Sequence, residues 1–555
     1  MVKILRNWQI LTVFFLALIM AVFYSYLGFA IKGDLHSQSG QKLVFNSPDE
    51  TANYFFSYLY AKESKLSYPE SENYFVDGLI APRSMQFING QVVPTSFYGL
   101  MVILGALAKV FSHNFLVFFI PLITAGSLIY FYLLIKKIFP SEVALVATIL
   151  AAIFPAYWYY STRSFYNNVV FVDFFIIGLY YLLLSLEKNK LLYYLASGLF
   201  LGWAVFVRTS EAIWLGTLII IILILNLKKI KIINGLFFIL IIIFTWLPIF
   251  YFNKLIYGQI FSFGYNYNLL TSTEEIIKGN YSIIKQLVLP FDFNWGNIKL
   301  NFSNYFLKLY WWYFILAELG LAFLLSQAPP FKLTEKKLLS KKIIFYLIAF
   351  IFISSYLIIF YGSWLFADNP DPQAVTIGTS YNRYFLPIYL FSLPFIGYLI
   401  FYLFQQVKIL KIFLYSLIIA GFFYFSFKIV YLDNQEGIFK IESNLKDYQE
   451  IAGEVLALTD PQAVIIAERN DKIFFPARRV IYKLNNDKDY NLLGNLVNQI
   501  PVYWWRFVLT DTDLKYFNKQ QEEKGFNWRL QSSIYCRHNQ CLYPLTILPD
   551  AQNNL

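Results

Sequence analysis

Apolar runs of about twenty residues recur along the first 430 positions, separated by short polar breaks. The first, "LTVFFLALIMAVFYSYLGFAI" (Leu11 to Ile31), reaches the roughly 20 apolar residues that a bilayer crossing requires. Runs of this kind predict spans at 10–31, 114–135, 142–160, 169–186, 191–207, 211–227, 232–251, 310–328, 343–362, 384–404 and 412–431, about eleven in all. A polar segment, 32–113, separates the first two. Within it "SFYGLMVILGALAKVFS" (Ser96 to Ser112) is apolar but short, and it reads as lying along the membrane surface, the alternative being a crossing. A second polar stretch occupies 252–309.

After residue 431 the pattern changes. "LKDYQEIAGEVLALTD" and "LKYFNKQQEEKG" have helical spacing, the second ending at Gly525. "AVIIAE", "RRVIYKL" and "WWRFVLTD" read as strands, and "ERNDKIFFPARRVI" as strand–turn–strand. "WRLQSSIYC" and "CLYPLTI" read as a closing hairpin. The expected organisation is a helical membrane domain over 1–431 and a small α/β domain over 432–555.

Charge orients the spans. Lys3 and Arg6 place the N-terminus inside, and the predicted inner loops carry Lys136 and Lys137, "EKNK", "KKIK", Lys332 to Lys342, and Lys408 with Lys411. The tail then falls outside, and the chain is expected in the cytoplasmic membrane with a retained first span. The net charge of +11 is accounted for by these loops, and no nucleic-acid module is visible. The two cysteines, Cys536 and Cys541, flank "RHNQ" in the exported tail, where an oxidising compartment favours a disulfide over two free thiols. A zinc site is disfavoured, because His538 is the only further good ligand nearby and a structural site takes four. The aromatic runs "YWYY", "YWWY" and "YWW" read as interfacial belts, with sugar stacking as the alternative.

Most polar residues with chemical potential fall on the outer side: Asp49, Glu50, Arg83, Arg163, Asn167, Asn168, Arg208, Glu211, Asp292 and Arg383. No Walker A or Gly-rich strand-to-helix turn is present, which disfavours a soluble nucleotide as direct substrate. In "FNSPDETANYFF", Ser47 can cap a helix beginning at Pro48, with Glu50 completing a capping box. Both acids then merely favour the helix N-terminus. The functional alternative is a carboxylate base working with an arginine-held phosphate leaving group, since arginine grips phosphate bidentately. Arg208 and Glu211 are either an ion pair or part of that grip. Asp173 and Glu318 lie inside predicted spans and are candidates on that ground.

"NSPDETANYFFSYLY", "PTSFYGLMVILGALAKVFSHNFLVFFIPLIT", "FPAYWYYSTRSFYNNVVFVDFFIIGLYYLLL" and "SYNRYFLPIYLF" resemble, in order, the pattern of GT-C membrane glycosyltransferases. The nearest resemblance is to the dolichyl-phosphate-mannose protein mannosyltransferase family, which is similar to the lipid A aminoarabinose transferases. It implies a polytopic helical fold with an extracytoplasmic α/β domain. It also implies transfer of a sugar from a polyprenyl-phosphate donor to an acceptor protein, lipid or polysaccharide. By that resemblance Asp49 matches the catalytic base and Glu50 its partner. Arg383 matches the arginine near the donor phosphate, with Arg163, Arg208, Asn167 and Tyr384 alongside. Asn167 and Asn168 stand where many members carry Asp, and "VPTSF" replaces a commoner "KP" or "HPP". No cofactor is expected, and a divalent metal is left open without being predicted. The alternative function is a transporter or flippase for a lipid-linked glycan.

Overall fold

The computed structural model describes residues 8–32, 44–260, 292–326, 340–366, 373–403 and 408–548, with the single residues 289, 368, 369 and 371. Lys3, Arg6, the middle of the 252–309 stretch, and Lys332, Lys336 and Lys337 lie outside the described residues. In chain order the helices begin with α1 (Trp8–Lys32), α2 (Pro48–Glu63), α3 (Gly99–Val110), α4 (Leu116–Lys136), α5 (Ser141–Ala152), α6 (Pro155–Arg163) and α7 (Asn167–Lys188). There follow α8 (Leu191–Val207), α9 (Ala212–Leu225), α10 (Ile232–Tyr257), α11 (Trp295–Phe302), α12 (Trp311–Ser326), α13 (Lys341–Gly362), α14 (Ser380–Tyr384), α15 (Leu386–Leu403) and α16 (Lys408–Tyr431). The last four are α17 (Ile438–Leu458), α18 (Asp471–Phe474), α19 (Asp487–Val497) and α20 (Asp511–Glu523).

Seven helices among the described residues are long and apolar enough to cross a membrane, or ten if each of three bent pairs counts as one span. The eleven expected spans differ from ten only at α8 and α9. The sequence predicts two separate crossings here, whereas the helices meet at a 116° bend at Arg208. The bend has a local cause. Arg208 leaves the helical region (φ −148°, ψ 86°), and Thr209–Glu211 form one 3₁₀ turn before α9 begins.

The chain divides into two compact units. One comprises residues 1–31, 117–249 and 269–440, the other 32–116, 250–268 and 441–555. This differs from the expected division at 431, because the 32–113 segment folds with the tail rather than with the spans.

In the helical unit every residue of α6 is buried, and α7 is the most buried of the seven long apolar helices. Tyr157, Trp158, Tyr159 and Tyr160 are all at most 1% exposed, so "YWYY" is core rather than an interfacial belt. The correction has a physical reason. A nine-residue helix with aromatics at every position of its middle turn has no polar face to turn outward. Asp173 of α7 is wholly buried and accepts three hydroxyl hydrogen bonds: from Thr124 (2.7 Å), Ser127 (2.8 Å) and Tyr157 (2.5 Å). It ties α4, α6 and α7 together.

In the second unit strands β4 (Val464–Ile466), β5 (Arg479–Ile481), β6 (Val502–Phe507), β7 (Trp528–Leu530), β8 (Tyr535–Arg537) and β9 (Gln540–Ile547) form a mixed sheet in the order β5-β4-β6-β9-β7, with β8 also on β9. The strand numbers follow three short ones in the 32–113 segment: β1 (Tyr68–Pro69), β2 (Met85–Ile88) and β3 (Gln91–Pro94), paired antiparallel. β4 and β5 are parallel, so the segment between them is a crossover through α18 and not the expected strand–turn–strand. Val76 and Ile80 enter the sheet's core beside Val464, Ile481 and Trp528, and Ala81 bridges Ile481 at the sheet's edge. Burying such side chains stabilises by about 1.5–3 kcal/mol each. That burial is why a single division at 431 is too simple. Gly525 (φ +79°) terminates α20, as its sequence implied.

The Ser96–Ser112 stretch contains α3, only twelve residues long, which at 1.5 Å per residue spans about 18 Å against roughly 30 Å of hydrocarbon. It does not cross alone. It packs on α2 at Gly105, where a Cβ would come within 2.8 Å of both Ser57 O and Tyr60 Cδ1.

Asp173→Ala removes the acceptor shared by three buried hydroxyls. Thermal unfolding of the detergent-solubilised chain should show a loss of roughly 1–3 kcal/mol for a polar group left unsatisfied. Asp173→Asn should lose less, because the amide oxygen still accepts. Equal stability of Asp173→Ala and wild type would refute the structural role.

Candidate functional site

Five of the residues singled out in the sequence converge in the helical unit. Arg163 ends α6, Asn167 starts α7, Arg208 stands at the bend between α8 and α9, and Arg383 and Tyr384 close α14. They are held in alternation with aromatic rings. The Arg163 guanidinium carbon lies 5.3 Å from the Tyr166 ring centre, and that of Arg383 lies 5.0 Å from the same ring. Arg383 is also 5.4 Å from Tyr384, and Arg208 is 4.7 Å from Tyr384. Two tyrosines are thus interleaved among three guanidiniums. Each such contact is worth about 0.5–2 kcal/mol, more where water is excluded.

Hydrogen bonds set the orientation. Arg208 Nε donates to Glu211 Oε1 (2.5 Å) and Nη2 to the Tyr361 hydroxyl (2.6 Å). Trp214 Nε1 and the Tyr361 hydroxyl also donate to Glu211, at 2.6 and 2.5 Å. Arg208 and Glu211 are therefore an ion pair, and a buried one, 6% and 3% exposed. Arg163 Nη1 donates to the Tyr159 hydroxyl at 2.8 Å, and Arg383 Nη2 to Ser380 Oγ at 2.8 Å. Asp368 in turn accepts from Ser380 N (2.8 Å) and Oγ (3.1 Å). Asn167 Nδ2 donates to Val207 O at 3.0 Å, joining the start of α7 to the end of α8 beside Arg208.

Below this cluster α7, α9, α13 and α15 enclose an apolar cavity of about 530 Å³, walled by Phe175, Leu183, Leu218, Phe350 and Phe391 among others. Along each helix the cavity's wall begins within about two turns of the cluster. At its far end stand Lys137, Glu187, Lys229, Lys341 and Lys342. Lys137 pairs with Glu187 at 2.5 Å.

Asp49 and Glu50 belong to the second unit. Ser47 caps α2 as expected: Asp49 N donates to Ser47 Oγ (3.3 Å) and Ser47 N to Glu50 Oε2 (3.2 Å). The capping box engages Glu50 and leaves it 2% exposed. Asp49 takes no carboxylate part in the box. Its Oδ1 accepts from Ser84 Oγ at 2.7 Å, and Ser84 sits in the left-handed region (φ +64°). Arg83 does not join the other arginines; it pairs with Asp471 at 2.8 Å. Cys536 and Cys541 are bonded across the β8–β9 turn. Among the described residues no group of three His, Cys, Asp or Glu side chains is placed to hold a metal ion. Tyr166, Tyr361, Trp214 and Ser84 had no sequence signal, since tyrosine and serine are common throughout.

Residues 99–249 match the family model described as dolichyl-phosphate-mannose-protein mannosyltransferase, well under half of the chain. The crystal structure of ArnT from Cupriavidus metallidurans bound to undecaprenyl phosphate is similar over 95% of this chain and 97% of that one, at 9% identity and a TM-score of 0.50. The chain has the GT-C fold. An Archaeoglobus fulgidus oligosaccharyltransferase structure, tethered to an acceptor peptide, aligns over 88% of this chain and 69% of that one, at 12% identity and a TM-score of 0.46. Comparison with curated proteins finds no match. On this GT-C frame the chain is a polytopic membrane protein.

Glu70, beside β1, is bonded to Arg479 (2.9 Å), which also reaches Glu72 (3.3 Å). Burial pushes Glu70 up to about 7, with the hydrogen bond to Glu72 adding and Arg479 opposing. A carboxyl raised in the folded state contributes stability that is complete below its ordinary value of about 4.3 and lost as pH rises through about 7. Opening free energies from hydrogen exchange of the second unit, corrected for the intrinsic pH dependence of exchange, should therefore fall between about pH 4.3 and 7, and Glu70→Gln should flatten that slope. An unchanged slope in Glu70→Gln would rule Glu70 out as its source.

Proposed function

We propose that this chain transfers a sugar from a polyprenyl-phosphate donor to an acceptor on the outer face of the cytoplasmic membrane, with its N-terminus inside. The single observation that carries the reading is the arrangement of Arg163, Arg383 and Arg208 around Tyr166 and Tyr384, at the head of an apolar cavity. Clustered guanidiniums repel one another and attract a phosphate, which each can grip through paired N–H groups. An apolar cavity beneath them suits the chain of the same amphiphile. The similar ArnT structure holds undecaprenyl phosphate.

In this reading Arg383, with Arg163 and Arg208, holds the donor phosphate, and Tyr384 and Asn167 keep the arginines in place. Asp49 takes the proton of an acceptor hydroxyl as its oxygen bonds to the anomeric carbon. The bond from that carbon to the phosphate oxygen breaks, the configuration inverts, and the polyprenyl phosphate leaves carrying the electron pair. Glu50 supports Asp49 by building the helix start on which it sits. The acceptor is a protein, lipid or polysaccharide hydroxyl.

Incubation of purified protein with labelled undecaprenyl-phosphate hexoses and aminopentoses plus cell-envelope extract should give transfer by wild type. General-base help is worth about 10²–10⁴ in rate, so Asp49→Asn should fall by at least about 100-fold. A folded, inserted Asp49→Asn protein that transfers at the wild-type rate would sink the assignment. Arg383→Ala should raise the donor KM and reduce kcat together, because the phosphate gains charge as it leaves.

A further inference from the structure

The second unit joins the tail to the segment carrying Asp49 at two points that bracket that carboxylate. Asp471, wholly buried at the start of α18, accepts from Arg83 twice: from the backbone N at Oδ2 (2.8 Å) and from Nε at Oδ1 (2.8 Å). Arg83 Nη2 also donates to Arg469 O. The next residue in the tail, Lys472, donates to Asn46 O, one position before the Ser47 cap. Its ammonium also lies 5.1 Å from the Tyr448 ring centre.

Arg83 is followed by Ser84, the residue whose hydroxyl holds Asp49 Oδ1. Ser84 occupies a backbone conformation that costs a non-glycine residue energy and persists only where its surroundings enforce it. Those surroundings are on both sides. Asp471 binds the backbone N–H and side chain of Arg83 before it, and Thr95 N donates to Ser84 O (3.0 Å) across the β2–β3 hairpin. A side chain shared between one N–H and one guanidinium fixes the peptide between residues 82 and 83 as well as the arginine, while Thr95 N holds the peptide between residues 84 and 85. Ser84 is clamped between the two, and that aims its hydroxyl.

We propose that Asp471 is a positioning residue of the tail, acting through Arg83 and Ser84 to orient the Asp49 carboxylate, with Lys472 steadying the Asn46 side of the same helix start. The tail is then a part of the catalytic apparatus rather than an appendage. This rests on the reading of Asp49 as general base. The Ser84 hydroxyl donates to Asp49 in its charged form, and such a bond lowers a carboxylate's pKa. Loss of the bond, directly or through Asp471, moves the acid limb of the rate profile to higher pH.

The test uses the full chain in nanodiscs, with the undecaprenyl-phosphate sugar that supports turnover by wild type. Ser84→Ala is expected to lower kcat about tenfold, leave the donor KM within twofold, and raise the acid limb of kcat against pH by about one unit. Asp471→Asn is expected to give the same limb shift, and the double variant to be no worse than the more affected single one, since both act through one bond. Hydrogen exchange, which requires no substrate, is expected to quicken in Asp471→Asn at both 46–51 and 83–86. The proposal is overturned if the limb stays in place in Asp471→Asn, if the two losses multiply, or if the faster exchange is confined to 469–475. Asp49→Asn, run in parallel, separates the failures. An active Asp49→Asn removes the general-base reading, whereas an inactive one beside an unshifted Asp471→Asn removes the positioning role alone.

Discussion

Two buried guanidiniums and a half-buried third, linked through shared tyrosine rings, repel one another, and much of the helical unit's layout answers that constraint. Tyr166 and Tyr384 present their rings between neighbouring arginines, and Glu211 neutralises Arg208 while accepting from Tyr361 and Trp214. The helices end where these groups must sit. α6 stops at Arg163, α8 stops before Arg208, and α14 is a five-residue turn that brings Arg383 and Tyr384 forward of α15. Interrupted helices are tolerated at depth only where the freed backbone groups find partners. Asn167, reaching from α7 to the carbonyl of Val207, supplies one.

In the second unit two adjacent carboxylates have different surroundings. Glu50 is committed to the capping box, so the acids of "SPDE" divide by role: one builds the helix and the other faces a hydroxyl. The cap expected from the sequence explains Glu50 well, and it is Ser84 that accounts for the side chain of Asp49.

Much of this was legible in the sequence. Span positions followed from apolar length, because that signal is summed over some twenty residues and survives local error. The arginines were identifiable because charge is rare in such a chain. Their tyrosine partners were not, since the sequence holds 44 tyrosines and nothing local distinguishes Tyr166 or Tyr361. The burial of "YWYY" was misread for a related reason: aromatic residues serve both membrane interfaces and membrane-protein cores. The domain boundary failed differently. Val76 and Ile80 are two apolar residues in a loop, and their partners, Val464 and Ile481, lie far along the chain. No window of sequence contains both halves of that core, nor both ends of the Arg83–Asp471 pair.

That separation has a consequence in time. Arg83 and Asp471 are 388 residues apart. At translation rates of about 5–20 residues per second, roughly 20 to 80 seconds pass between the synthesis of one and of the other. Throughout that interval the Asp49 helix lacks its buried carboxylate anchor and Val76 and Ile80 lack their sheet. The nascent chain thus carries the segment around Arg83 unfinished until residue 471 has been made, and a chain cut before that point keeps the Asp49 helix without its anchor.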